Sequence, residues 1–306
     1  MSMNVKFLKS TKDIIRNINQ LGLVLGYFDG LHIGHSQLIS FAKSSTKNGS
    51  LGVLTFDRAL KSVEGSLMTI DDKISEMEKL GVDYLFIIAC DDNLKMMSYK
   101  KFVTDVLKAF NPVTLFCGPD FKYGYGAEGD VNYLKQVFNQ VCVLGYVKDH
   151  YGEKISSTSI KNYIKSGNIE EANRHLGRAY SINGAIVHGF HEGTKLGFPT
   201  ANLLPETSYV LPPNGVYFTR TELDGKTYDS VTNIGFHPTI NETNIVTIET
   251  HIIGNEFGSL YGYPLKTYFY KKIRDEIKFD TIEELKEQMN QDVIGAKEFF
   301  AYRVKK

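Results

Sequence analysis

Neither sign of charge is in excess in this chain: 35 lysines and arginines are matched by 35 aspartates and glutamates. Without a basic or acidic surplus there is no general attraction to nucleic acid or to an anionic membrane surface, so neither is an expected partner. Long apolar runs are also missing. The longest are strand-sized, well short of the roughly 20 residues that cross a bilayer. Residues 1–10 hold no apolar stretch of the length a secretory signal needs, and a cytoplasmic protein is expected. Cysteine is scarce: Cys90, Cys117 and Cys142 each fall within or at the end of an apolar run. They read as small buried hydrophobes in a reducing compartment rather than as disulfides or metal ligands. No internal repeat or low-complexity segment is evident.

What is present supports two packed cores, with 306 residues of which 42% are hydrophobic and 12% aromatic. Short apolar runs at 23–28, 51–56, 83–89, 113–118 and 141–147 alternate with amphipathic stretches at 34–46, 71–80, 99–110 and 130–138. That order predicts an α/β fold, a Rossmann-like parallel sheet covered by helices on both faces, whose ligands bind beyond the carboxyl ends of the strands. Two short helices follow, at 157–166 and 168–176, with Gly167 ending the first. From Tyr180 onward, closely spaced β-branched and aromatic runs at 181–188, 216–223, 227–234, 246–253 and 265–270 predict a small antiparallel β-barrel. Helices at 281–289 and 295–304 close the chain, and the domains are expected to be 1–178 and 179–306.

Chemistry is densest in Gly26-Tyr27-Phe28-Asp29-Gly30-Leu31-His32-Ile33-Gly34-His35, placed where a strand turns into a helix. The first N–H groups of a helix lack internal partners and carry the positive end of its dipole, which favours an anion. Two histidines three apart add donors for an oxygen whose charge grows during phosphoryl or nucleotidyl transfer. A glycine-rich turn with two surface histidines is the plainer alternative. Zinc is disfavoured, because no Glu stands in a His-Glu-x-x-His pattern and no Cys or carboxylate cluster completes the ligand set.

Gly118-Pro119-Asp120-Phe121-Lys122-Tyr123-Gly124 follows the fourth strand, and Phe121 and Tyr123 offer π faces to a flat ring, or else anchor the loop by packing. Ser156, Ser157 and Thr158 put three hydroxyls at a helix start, with Lys161 one turn on, a set suited to the distal phosphates of ATP or simply an over-supplied cap. In the segment 189–202, Gly189, Gly193 and Gly197 permit close approach to phosphate, Lys195 lies among them, and Thr200 and Asn202 are oxygen ligands suited to Mg²⁺. Glu249 and His251 share one face of a strand. The Glu249 carboxylate can take a proton from a substrate hydroxyl, although an alternating strand with a solvated polar face reads the same way.

The segment 26–35 resembles the Gly-x-Phe-Asp-Gly-x-His-x-Gly-His signature of nucleotidyltransferases that move a nucleoside monophosphate from ATP and release pyrophosphate. Over nearly the whole chain, the order of motifs resembles the bacterial bifunctional FAD synthetase family, riboflavin kinase joined to FMN adenylyltransferase. The series runs through Gly-x-Asp-Phe-x-x-Gly, Ile-Ser-Ser-Thr, Leu176-Gly177-Arg178, Gly-Phe-Pro-Thr-Ala-Asn, Asn233-Ile234-Gly235, Pro238-Thr239, Glu249-Thr250-His251 and Leu260-Tyr261-Gly262.

That resemblance implies two ATP-dependent reactions, riboflavin to FMN and FMN to FAD, with riboflavin, FMN and ATP as small-molecule partners and Mg²⁺ as cofactor. Glu249 matches the kinase base, Thr200 and Asn202 its Mg²⁺ and phosphate ligands, and Gly189, Gly193, Lys195 and Gly197 its phosphate loop. His32 and His35 match the transfer histidines, with Gly26, Phe28, Asp29, Gly34, Ser156, Ser157, Thr158 and Lys161 about the ATP. Asp120, Phe121 and Tyr123 match the flavin side of that site. The chain departs from the family where Thr55-Phe56-Asp57 is followed by Arg58-Ala59-Leu60 instead of Pro-His-Pro, where Lys161 replaces Arg, and where His237 replaces Arg before Pro-Thr. Lysine keeps the charge of arginine but loses the planar fork that grips two phosphate oxygens. The first two departures fall in the adenylyltransferase module. A mainly riboflavin kinase chain with a weakened adenylyltransferase site is therefore the rival reading; a non-enzymatic flavin-binding regulator is the other.

Overall fold

The computed structural model describes residues 2–46, 48–58, 65–188, 197–238, 244–254, 257 and 260–304. They fall into two compact units, one drawn from 1–63 and 70–157, the other from 64–69 and 158–306. Among the described residues no helix is long and apolar enough to cross a membrane.

The first unit is built on a parallel sheet of six strands: β1 (Asn4–Leu8), β2 (Gly22–Leu25), β3 (Leu51–Phe56), β4 (Tyr84–Ile88), β5 (Thr114–Cys117) and β6 (Val141–Val143). Their order is β1-β4-β3-β2-β5-β6. Every side chain of β2 and β3 is buried, as expected where helices cover both faces. β1 was not anticipated from the sequence, because it is an edge strand with only Leu8 fully buried and shows no apolar pattern. Helices α1 (Ile33–Ser45), α2 (Ile70–Lys79), α3 (Asp92–Lys95), α4 (Tyr99–Lys101) and α5 (Val131–Val137) connect the strands. Beyond α4 the helical path continues through a wide π-type segment, Phe102–Leu107, and a 3-10 turn, Lys108–Phe110, burying Phe102, Val103, Val106, Leu107 and Phe110. Successive strands leave β2 on both sides, β3 on one and β5 on the other, so the carboxyl end of β2 lies at the switch point where open sheets bind ligands.

In the second unit, α6 (Ser157–Lys165) and α7 (Ile169–Leu176) precede β7 (Tyr180–Val187), β8 (Thr200–Pro205), β9 (Gly215–Leu223), β10 (Lys226–Pro238), β11 (Asn244–Ile252) and β12 (Pro264–Arg274). These strands close an antiparallel barrel in the order β10-β11-β8-β7-β12-β9. Ile160, Ile164, Ile169, Ala172 and Leu176 from the two helices join the barrel's own core. A layer of hydroxyls fills the middle of the barrel: Thr219 meets Ser230 and Thr232 at 2.8 Å, Thr221 meets Ser230 at 2.7 Å, and Thr232 meets Thr250 at 2.9 Å. Ser230, Thr219 and Thr232 each take part in two of these bonds, so one hydroxyl can give and take in turn along the row.

One helix, α8 (Ile282–Val304), ends the chain where two were expected. Gly295 does not break it. A Cβ there would come within 3.0 Å of the Phe218 ring, so glycine lets the helix lie close on the barrel, where Phe299 packs on Phe218. That packing outweighs the ~1 kcal/mol helix propensity penalty of glycine.

Candidate active sites

The turn after β2 is shaped by backbone that few side chains accept. Phe28 is left-handed (φ 56°, ψ 39°), and Gly30 and Leu31 also have positive φ. A Cβ on Gly26 would lie 2.6 Å from the Phe28 ring, so glycine is what lets that ring fold back over the strand end. His32 caps α1, its Nδ1 accepting from the His35 backbone N–H at 3.3 Å. An accepting Nδ1 places the ring proton on Nε2, where it can be donated. The His32 and His35 rings stack at 3.6 Å, and the edge of His35 meets Phe28 at 5.1 Å. His32 is the inner ring, 6% exposed, and His35 is half-buried. Gly34 has a definite task here, since a Cβ on it would press within 3.2 Å of the His32 ring.

Ser157 joins this turn, its Oγ donating to the Asp29 carbonyl at 2.8 Å. Asp29 itself is buried. Ser156 is half-buried and Thr158 exposed. Lys161 lies in the second unit, buried, with Nζ donating to the Gly65 carbonyl at 2.9 Å.

The 118–124 loop divides its residues. Tyr123 is 3% exposed and packs in the core, paired through its backbone with Gly129, and burial pushes its hydroxyl pKa up. Phe121 is half-buried and stacks on Tyr123 at 5.5 Å. Asp120 is exposed and ion-paired with Lys154. Anchoring thus falls to Tyr123, while Phe121 and Asp120 remain on the outer side.

Sequence reasoning missed Lys73 on α2. It is 3% exposed, and its Nζ donates to the Tyr27 carbonyl at 2.9 Å and to Thr55 Oγ1 at 3.4 Å. Burial lowers its pKa to about 8, opposed by the charges of Asp29 and Asp57. A lysine between acidic residues on an amphipathic helix gives no local sign of burial. The unusual Arg58 also has a seat: its guanidinium donates to the Cys90 carbonyl at 2.8 and 3.2 Å, while Asp57 accepts from the Cys90 N–H at 2.9 Å. Cys90, Cys117 and Cys142 are all free, the first two buried, and burial pushes the Cys117 thiol up to about 12.

On the barrel, register assembles the second site. Glu249 on β11 is the pairing partner of Asn202 on β8 and of Asn233 on β10, and His251 is the partner of Thr200. Ile248, Thr250 and Ile252 point inward, so Glu249 and His251 face outward, both half-buried, beside Thr200 and Asn202. His251 Nδ1 donates to the Pro199 carbonyl at 3.0 Å, and burial lowers its pKa.

Asn233 Nδ2 donates to Glu276 Oε1 at 3.3 Å, and the other Glu276 oxygen accepts from Asn214 at 3.2 Å. A Cβ on Gly235 would come within 2.5 Å of that carboxylate, so a larger residue there would shift the Glu276 side chain. The Asn233 Oδ1 is buried and has no hydrogen-bond partner among the described residues. Glu276 was not singled out in the sequence, because it lies beyond the end of β12 and reaches the site only through the fold. Gly197 has φ +85° and open space about it; Gly189, Gly193, Lys195 and Thr239 lie outside the described residues.

Residues 15–159 match the family model described as FAD synthetase, and residues 176–300 the one described as riboflavin kinase. Curated relatives named bifunctional riboflavin kinase/FMN adenylyltransferase include one from Bacillus subtilis (strain 168), 34% identical over 91% of this chain and 92% of that protein. Another, from Listeria monocytogenes, is 32% identical over 95% and 96%, and one from Escherichia coli (strain K12) is 30% identical over 94% and 97%. Among solved structures, one described as a macrolide-efflux protein from Streptococcus pneumoniae superposes with a TM-score of 0.88, at 27% identity over 96% of this chain and 99% of that one.

Proposed function

This chain belongs to the bifunctional riboflavin kinase/FMN adenylyltransferase family, transferases that use ATP to phosphorylate riboflavin and to adenylylate FMN, and from that membership we propose which residues carry each step. Adenylyl transfer is assigned to the turn after β2 and phosphoryl transfer to the outer face of β8 and β11. The observation that carries the first assignment is the placing of His32 and His35, with rings stacked at 3.6 Å, at the start of α1 beyond the carboxyl end of β2.

In the adenylyltransferase, an FMN phosphate oxygen attacks the α-phosphorus of ATP and pyrophosphate departs. His32 and His35 stabilise the charge that gathers on the equatorial oxygens, together with the N-terminus of α1. Gly26, Phe28, Asp29 and Gly34 form the turn beneath the nucleotide, and Ser156 and Ser157 serve the distal phosphates; Lys161, expected beside them, is instead bonded to the Gly65 carbonyl within the second unit. Phe121 and Asp120 receive the flavin on the loop that Tyr123 anchors. No covalent enzyme intermediate is needed, so the contribution of the protein is position and electrostatics.

In the kinase, Glu249 takes the proton of the ribityl hydroxyl as that oxygen attacks the γ-phosphorus of ATP, the bond to the β,γ-bridging oxygen breaks and ADP departs. Thr200 and Asn202 present a hydroxyl and an amide oxygen two residues apart on one strand face, hard donors that fit Mg²⁺ and lie next to the base. The ion supplies charge neutralisation on the transferred phosphoryl group. Gly189, Gly193, Lys195 and Gly197 complete the phosphate loop. Aligned metal ligands and a base have no purpose in a passive flavin binder, which disfavours the regulator reading.

The functional boundary is placed at 178/179, because the hydroxyls at the start of α6 serve the nucleotidyl site although the helix packs with the barrel core. The working compartment is cytoplasmic. The deciding experiment is incubation of the purified chain with FMN, ATP and Mg²⁺, followed by chromatography. FAD is the expected product; none at saturating substrate would leave a riboflavin kinase with a lost second site.

A further inference from the structure

We propose that Lys73 is a positioning residue for adenylyl transfer, fixing through the Tyr27 carbonyl the backbone turn on which His32 and His35 stand. The inference rests on the assignment of the transfer site to that turn.

The Tyr27 carbonyl receives two donors, Lys73 Nζ at 2.9 Å and Thr55 Oγ1 at 2.8 Å. Lys73 Nζ also lies over the Tyr27 ring, 4.6 Å from its centroid. That carbonyl belongs to the peptide that delivers Phe28 into its left-handed conformation. Non-glycine residues hold such backbone only where the surroundings over-determine it. Here two hydrogen bonds orient the peptide from one side, and the Phe28 ring is seated against Gly26 from the other. The same ring supports the edge of His35, which stacks on His32. A chain of direct contacts therefore runs from the amine to both imidazoles, and rotation of one peptide would move the pair.

Burying a lysine is costly unless the charge is used. The groups of opposite sign that face it are Asp29, from the turn, and Asp57, from the end of β3. On its own helix, Glu76 is already paired with Lys79. Burial brings the amine to about 8, so it is charged at neutral pH and loses its proton on mild alkalinisation, when the two carboxylates lose their counter-charge. A fixed cation at this place can hold the turn in water-like and nucleotide-bound surroundings alike; a methionine of similar length cannot donate.

The test compares wild type, Lys73→Met and Lys73→Arg as full-length chains, measuring FAD formation from FMN across neutral and alkaline pH and FMN formation from riboflavin in the same samples. Lys73→Met is expected to lower kcat for FAD on the order of 10²-fold, the effect of misplacing reacting groups by about 1 Å, with KM for FMN and ATP nearly unchanged. FMN formation should persist. Wild type should lose FAD activity as pH rises through about 8, and Lys73→Arg, whose charge persists, should not. FAD formation by Lys73→Met at the wild-type rate, or the same alkaline fall in wild type and Lys73→Arg, would overturn the proposal. Should both variants fold poorly, the wild-type pH profile decides: FAD formation that stays flat as pH rises through about 8, relative to FMN formation in the same samples, would again overturn it. Absence of FAD from wild type itself would refute the underlying site assignment instead, so the two failures are distinguishable.

Discussion

Asn202 and Glu249 are directly opposed residues on adjacent antiparallel strands of the barrel, although 47 positions separate them in the chain. Directly opposed side chains on one face have Cβ atoms roughly 5 Å apart. The proposed metal ligand and the proposed general base are thereby set side by side by strand register alone. Glu249→Gln keeps the shape and removes the basicity, and should lower riboflavin phosphorylation by about 10²–10⁴-fold. FAD formation from supplied FMN should be unaffected. Separate assays of the two products in one sample check both outcomes.

His32→Ala and His35→Ala should each abolish FAD formation and spare FMN formation. Gly34→Ala is a finer probe, because its methyl group would press within 3.2 Å of the His32 ring without removing either imidazole. Its expected effect is about tenfold on kcat, from displacement of one ring, again with the kinase intact. Equal loss of both products in these variants would mean that the two reactions do not use separate sites.

His251 carries a pH dependence whose sign is fixed by its burial. Its pKa is lowered below the ordinary 6.5, so between the folded value and 6.5 the unfolded chain binds more protons than the folded one. Stability therefore falls as pH drops below 6.5 and gains nothing from this group above it. Thermal melts of wild type and His251→Gln on the two sides of that value should show a smaller acid-side loss in the variant.

Arg274 holds Asp292 of α8 with Nε at 3.1 and 3.2 Å and Nη2 at 2.7 Å. Asp292 is buried, so Arg274→Met leaves a carboxylate without its cation. A cost on the order of 3 kcal/mol is expected. Denaturant titration of the variant should show a lower midpoint, with Gln288, which also donates to Asp292, limiting the loss.

Much of this was legible in the residues themselves. Near-continuous apolar runs gave β2 to β5 their places, and the alternation of β9 to β12 marked a barrel, because side-chain period follows which faces are buried. The signature at 26–35 falls on the turn between β2 and α1, and its Gly26 and Gly34 prove to allow close approach by Phe28 and His32. Less accessible were elements whose local pattern is weak. β1 is exposed, β8 lies in a stretch read for its glycines and ligands, and α8 contains a glycine that reads as a stop.

By itself the sequence determined the two sheet types, the order of the chemical motifs and the family. The tertiary structure alone decided that Lys73 is buried under the Tyr27 carbonyl, that Glu276 reaches Asn233, and that α6 and α7 pack with the barrel core. Periodicity is a property of neighbours along the chain, so it records which face is apolar. Register, burial of a single charge and the choice of packing partner are set by groups far apart in sequence, and they exist only once the chain has closed upon itself.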